Sequence, residues 1–264
     1  AVLGHGTNPA GYHAFNLLVH TVNVLLLWRI VLQVTSKRWT AAVAAALWAV
    51  LPLSTEAVTN IVGRADLLAA TGSLAALLLY LRARTSQARL PVAAMLAIAL
   101  ATTLGTLAKE SGIAVLGVLL VCELLWWTPA QSVRRLGLLI VCCAVPFALW
   151  FIQRSSVLGA SLAAEFPFTD NPIGAAEFWQ GRLTALQVMW RYLALIAWPA
   201  HLSHDYSYAQ IPLASFSVAG WAGSLLLVAG TVAALWQARA NRAVLFFAAL
   251  AFITFLPGSN LLFA

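Results

Sequence analysis

Charge is the scarcest ingredient of this sequence. Only 9% of its 264 residues are Asp, Glu, Lys or Arg, and eight of these are acidic, whereas a soluble globular domain carries about a quarter charged residues. Apolar residues make up 62% and the mean hydropathy is +0.89. No polar half can be split off, which excludes a soluble domain on a single anchor. Cysteine is scarce too. Cys122, Cys142 and Cys143 lie in apolar runs with no CxxC spacing, so a disulfide framework is excluded and they read as small buried hydrophobes. There is no Gly-rich phosphate loop, HExxH pair, low-complexity tract or short internal repeat, so nucleotide-binding and zinc-hydrolase motifs give no lead. The net charge of +7 does not imply nucleic acid, because the basic residues are dispersed in short loops between apolar runs.

Those runs are what the chain has most of. A membrane span needs roughly 20 apolar residues, or about 17 at the short end. Apolar segments occupy residues 12–34, 39–53, 67–81, 91–108, 112–127, 136–152, 183–198, 218–236 and 244–256. They predict an all-α fold, a polytopic transmembrane helix bundle with about eight or nine membrane segments. Trp39, Trp126, Trp127, Trp198 and Trp221 stand near segment ends, as interfacial anchors do. Two regions are expected: residues 1–153 as a core of transmembrane helices, and 154–264 as an outer loop with further membrane segments.

The loops differ in charge. At one face lie Arg29, Lys37, Arg38, Arg82, Arg84, Arg89, Arg134 and Arg135, with no acid, and at the other lie Glu56, Arg64, Asp66, Lys109 and Glu110. Basic loops stay cytoplasmic, so the mixed-charge face is expected outside. The polar connection 155–181, with Glu165, Asp170 and Glu177, is expected there too. The segment 183–198 carries Arg191 at its centre. If the loop with Arg239 and Arg242 is cytoplasmic, this segment is re-entrant or interfacial; if it spans, His204 and Asp205 face the cytoplasm.

The stretch from Glu56 to Asp66 organises the rest, because it places Glu56, Arg64 and Asp66 between two membrane segments. Charges at a bilayer edge cost a few kcal/mol unless paired or hydrated, which makes them functional candidates. Arg64 with Asp66, Lys109 with Glu110, and His204 with Asp205 are equally readable as ion pairs or caps at helix ends. On the first segment His13, Asn16, His20 and Asn23 share one helical face, which must turn to protein or a watery cleft. The two histidines offer a metal pair, but interhelical hydrogen bonding is the commoner use, so no metal site is assigned and a divalent metal remains an open cofactor.

Several motifs together carry a resemblance. The run Ser54-Thr-Glu-Ala-Val58 followed by Gly63-Arg-Ala-Asp-Leu-Leu68, with Tyr12-His-x-x-Asn16 and His20, Leu107-Ala-Lys-Glu-Ser-Gly112, Asp170-Asn-Pro172 with Arg182-Leu-Thr184, Leu202-Ser-x-Asp-Tyr-Ser207 before Ile211-Pro-Leu213, and Pro257-x-Ser-Asn-Leu261, resembles the transmembrane, tetratricopeptide-repeat-containing O-mannosyltransferases, the TMTC family. These are polytopic enzymes of the GT-C glycosyltransferase class. One departure is Leu51-Pro52, where the family usually has His-Pro, so any role of that histidine is absent or moved.

The resemblance implies a GT-C-like bundle that moves a sugar, mannose for preference, from a polyprenyl-phosphate donor to Ser or Thr of a protein acceptor, on the outer face and with inversion. Such a transfer needs a carboxylate for the acceptor proton and cations for the leaving phosphate. Glu56 and Asp66 are therefore the candidate catalytic carboxylates, and Arg64, Lys109 and Arg191 the candidate phosphate ligands. His13, His20, Glu110, His204 and Asp205 are expected to line the cleft. The family's principal catalytic acid lies in a first outer loop, expected before Ala1, and its repeats are expected after Ala264. The chain starts without a signal peptide and ends inside a motif, so it reads as an excerpt, inactive alone, of a multi-pass protein of a bacterial inner membrane or, in a eukaryote, the endoplasmic reticulum. Two other classes remain: a secondary transporter or lipid flippase using the same charges for coupling, and a non-catalytic membrane scaffold for the repeats.

Overall fold

The computed structural model describes residues 9–86, 91–158, 172–200, 202–203, 206, 210–215 and 218–261. Among them are ten α-helices and no strand: α1 (Ala10–Thr35), α2 (Arg38–Ala49), α3 (Thr55–Thr59), α4 (Arg64–Ser86), α5 (Val92–Ala108), α6 (Val115–Leu125), α7 (Pro129–Leu158), α8 (Phe178–Ala197), α9 (Val218–Gln237) and α10 (Arg242–Phe255). The protein is thus an all-α membrane protein. Four helices, α1, α4, α7 and α9, are long and apolar enough to cross a bilayer, and the bent pair Arg38–Ala49 with Pro52–Thr59 makes a fifth. Among the described residues this is fewer than the eight or nine spans expected, because three apolar segments make helices of 17 residues or fewer and the 20-residue α8 carries Arg182 and Arg191. α5 has 17 residues, α6 has 11 and α10 has 14.

The second expected span is bent. Its two parts bend by 51° at Leu51-Pro52, where a residue before proline is pushed out of the α region; Leu51 is extended at ψ 117°.

The chain forms two compact units, Ala1–Gly159 and Ala160–Ala264. In the first, α4 packs against α1, α5 and α6. Small residues set its closest approach. A Cβ on Gly72 would lie 2.6 Å from the backbone of Ala101 and of Gly105, and one on Gly112 would lie 2.5 Å from the Gly105 carbonyl oxygen. Glycine alone lets these backbones touch, as small residues do between membrane helices. Outward-facing positions are apolar: Leu96, Leu100 and Leu104 on α5 are each at least 60% exposed, one turn apart on a stripe that a lipid surface would cover.

In the second unit α8 gathers the extended segment before α9. Thr184 Oγ1 accepts from the Ala214 amide at 2.9 Å and Gln180 Nε2 donates to the Ala214 carbonyl at 3.1 Å. Arg182 donates to the Asn260 carbonyl at 3.2 Å, where Asn260 takes a left-handed φ of 55° that asparagine tolerates. Asn241 caps α10 by accepting from the amides of Ala243 and Val244.

Candidate active site

One face of α1 carries the polar ladder, and the structure shows what it holds. Asn16, fully buried, donates from its amide to the carbonyls of Val58 at 3.2 Å and Asn60 at 2.9 Å. His20 Nε2 is 3.1 Å from the Ala49 carbonyl, and its ring stacks on Trp48 with centroids 5.2 Å apart. Asn23 donates to the Leu67 carbonyl at 2.9 Å and accepts from Thr71 at 2.7 Å. These bonds tie α1 to the end of α2, to the connection after α3, and to the first turns of α4. His13 is exposed near the start of α1. Among the described residues no group of three or more His, Cys, Asp or Glu gathers to hold a metal.

The connection so anchored is tight. Asn60 Oδ1 accepts from the Val62 amide at 3.1 Å, and Gly63 packs so closely that a Cβ there would lie 2.4 Å from the Ala57 carbonyl oxygen. Arg64 then opens α4. Its Nε donates to the Ile61 carbonyl at 3.2 Å, and its guanidinium lies 5.0 Å from the Tyr12 ring centroid and 5.8 Å from that of Phe15.

Two residues on, Asp66 meets Lys109. Nζ and Oδ1 are 2.6 Å apart, with 41% of the lysine and 48% of the aspartate side chain exposed. The glycine contact explains the meeting: Gly105 is one turn before Lys109, Gly72 lies on the same stretch of α4 as Asp66, and the backbones touch there. Ser73 adds a bond to the Gly112 carbonyl at 3.3 Å, pinning the short 3-10 turn Glu110–Ala114. Lys109 therefore pairs across 43 residues, not with its neighbour Glu110.

Glu56 sits exposed in the first turn of α3 and Glu110 is exposed after α5; neither joins an ion pair among the described residues. Arg191 is exposed on α8 in the second unit, its guanidinium 5.2 Å from the Tyr206 ring. His204 and Asp205 lie outside the described residues. The structure thus brings Asp66 and Lys109 together, while Arg64, two residues before Asp66 on α4, turns to the α1 rings of Tyr12 and Phe15.

Sequence reasoning missed a second charged group. Glu123, in the last turn of α6 and fully buried, accepts from Arg84 Nε at 3.0 Å and from the Tyr80 hydroxyl. Arg84 also donates to the Trp126 carbonyl. The face read as having no acid has one after all, hidden because Glu123 falls inside an apolar run rather than in a loop. Its position four residues before Trp127 was the available signal.

The chain is similar over nearly its whole length to proteins named as O-mannosyl-transferases. It is 30% identical to one from Caenorhabditis elegans over 98% of this chain and 36% of that protein. It is 31% identical to Tmtc2 of Drosophila melanogaster over 80% of this chain and 23% of that one, and 28% identical to human TMTC3 over 97% and 30%. The chain therefore spans about a third or less of the length of these relatives. No protein-family model matches it, and no solved structure matches it.

Proposed function

This chain is a TMTC-like relative of the protein O-mannosyl-transferases, and from that kinship we propose that it forms part of a membrane glycosyltransferase. The enzyme takes a sugar, most simply mannose, from a polyprenyl-phosphate donor and places it on Ser or Thr of a protein at the outer or lumenal face. The acceptor oxygen attacks the anomeric carbon as the bond to phosphate breaks, so configuration inverts. The acceptor proton goes to a carboxylate, and the phosphate leaves with an added negative charge that must be met by cations.

The observation that supports this reading is the meeting of Asp66 and Lys109 at 2.6 Å, in the same first turn of α4 that Arg64 opens. Asp66 holds the ammonium in place, and the half-exposed Lys109 keeps N–H donors free for a phosphate oxygen. Arg64 presents a planar fork suited to bidentate phosphate contact. With Asp66 committed to Lys109, the exposed Glu56 is the carboxylate more open to a proton. Arg191 is the phosphate candidate in the second unit.

The test is transfer from polyprenyl-phosphate mannose to a Ser/Thr peptide by the full-length protein in membranes, with expression matched between variants. Arg64→Ala is expected to lower transfer by about 10²–10³, the loss typical of one transition-state charge contact. Arg64→Lys should recover only part, because a point charge does not reproduce a fork. Wild-type transfer by Arg64→Ala would remove Arg64 from the chemistry.

A further inference from the structure

Lys109 and Arg64 are held by opposite means. Lys109 is neutralised by Asp66. Arg64 is gripped with no carboxylate partner among the described residues: Ile61 fixes its Nε, while the rings of Tyr12 and Phe15 lie 5.0 and 5.8 Å from the guanidinium, within the range of cation–π attraction. Its Nη2 is buried without an oxygen partner, and the π faces stand in for one. An aromatic face restrains a guanidinium without cancelling its charge, so the field that would attract an anion survives.

Tyr12, Phe15 and Asn16 are spaced i, i+3 and i+4 on α1, which puts them on one face of the helix. Asn16 grips the connection that ends at Arg64 through the carbonyls of Val58 and Asn60, while the two rings grip the guanidinium itself. One helix face therefore fixes both the backbone from which Arg64 springs and the group at its tip.

We propose that Tyr12, Phe15 and Asn16 are positioning residues that aim an un-neutralised Arg64 at the donor phosphate. This rests on the phosphate role of Arg64 given above. Its signature is coupling, since the rings act on transfer through Arg64 alone.

The test is a double-mutant cycle in the full-length protein, with polyprenyl-phosphate mannose and a Ser/Thr peptide as substrates. Tyr12→Leu should lower kcat/KM for the donor by about three- to thirtyfold, the range of a cation–π contact, and leave the KM for the peptide unchanged. Tyr12→Phe, which keeps a ring, should stay within about twofold of wild type. In an Arg64→Ala background, Tyr12→Leu should have no further effect, because the interaction it breaks is already gone. Where Tyr12→Leu does not reach the membrane, Phe15→Leu removes the second ring and completes the same cycle. Losses that multiply in the double variant, or that strike donor and peptide alike without rescue by Tyr12→Phe, would overturn the cradle while leaving Arg64 in its role. Normal transfer by Arg64→Ala would overturn both.

Discussion

Helix α4 carries an ion pair near each end, and the two differ in every physical respect but charge. Asp66–Lys109 is short and about half exposed on both sides. Arg84–Glu123 has its carboxylate fully buried, with Tyr80 also donating to Glu123 and Arg84 also donating to the Trp126 carbonyl. An exposed pair contributes about 0–1 kcal/mol to stability and is screened by salt. A buried one is costly to break, because the surviving partner is stranded away from water. The pair at the start of α4 is thus open to solvent, whereas the other ties α4 to α6.

The largest effect should come from breaking the buried pair by one member. Glu123→Ala leaves the Arg84 guanidinium uncompensated and should cost about 3–5 kcal/mol, read as a lower unfolding midpoint of the protein in detergent. Replacing both members, as Arg84→Met with Glu123→Leu, should recover most of that stability. Equal losses for single and double variants would mean that packing, not charge, is the cause.

Next in size is the glycine notch between α4 and α5. Gly72→Val puts a side chain within 2.6 Å of the Ala101 and Gly105 backbones and should cost about 1–3 kcal/mol by overpacking. It should also part Asp66 from Lys109, so a disulfide formed between cysteines placed at 66 and 109 should form more slowly in its presence. An unchanged crosslinking rate would show that the pair does not depend on this contact.

The smallest effect on stability is expected at the exposed pair. Exchanging its members, as Asp66→Lys with Lys109→Asp, should shift stability by less than about 1 kcal/mol, yet it moves the cation from the extended residue after α5 onto α4. Transfer should fall while the unfolding midpoint stays. A large loss of stability would place this pair in the same class as the buried one.

Much of the fold was legible as hydropathy. Each apolar run holds a helix, although 39–53 breaks at Leu51-Pro52 and 112–127 begins in a 3-10 turn, and α4 follows the run after Arg64 with only its ends extended. What escaped was what depends on partners far away in sequence. Nothing local marks Gly72 and Gly105 as a contact rather than two of 16 glycines, since the requirement for a missing Cβ arises on the facing helix. Glu123 was overlooked for the same reason: its counter-ion, Arg84, is 39 residues away and reads from sequence as a loop base. The α1 ladder was legible as a polar face, because periodicity alone puts Asn16, His20 and Asn23 together. Its partners, mostly backbone carbonyls, leave no trace in residue types. The site was legible as a list of charges; which of them pair was not.

Asp66 and Arg84 are eighteen residues apart on one helix, a rise of roughly 27 Å, close to the hydrocarbon thickness of a bilayer at about 30 Å. α4 is thus a depth gauge graduated at both ends. It cannot slide along the membrane normal by a turn without dragging one charged group toward the hydrocarbon midplane. A thicker or thinner bilayer must therefore be met by tilt of the whole bundle, or by deformation of the lipid, at fractions of a kcal/mol per ångström of mismatch. A single residue inserted between the two marks would turn one of them about 100° away from its partner, so the spacing itself is as constrained as the charges it separates.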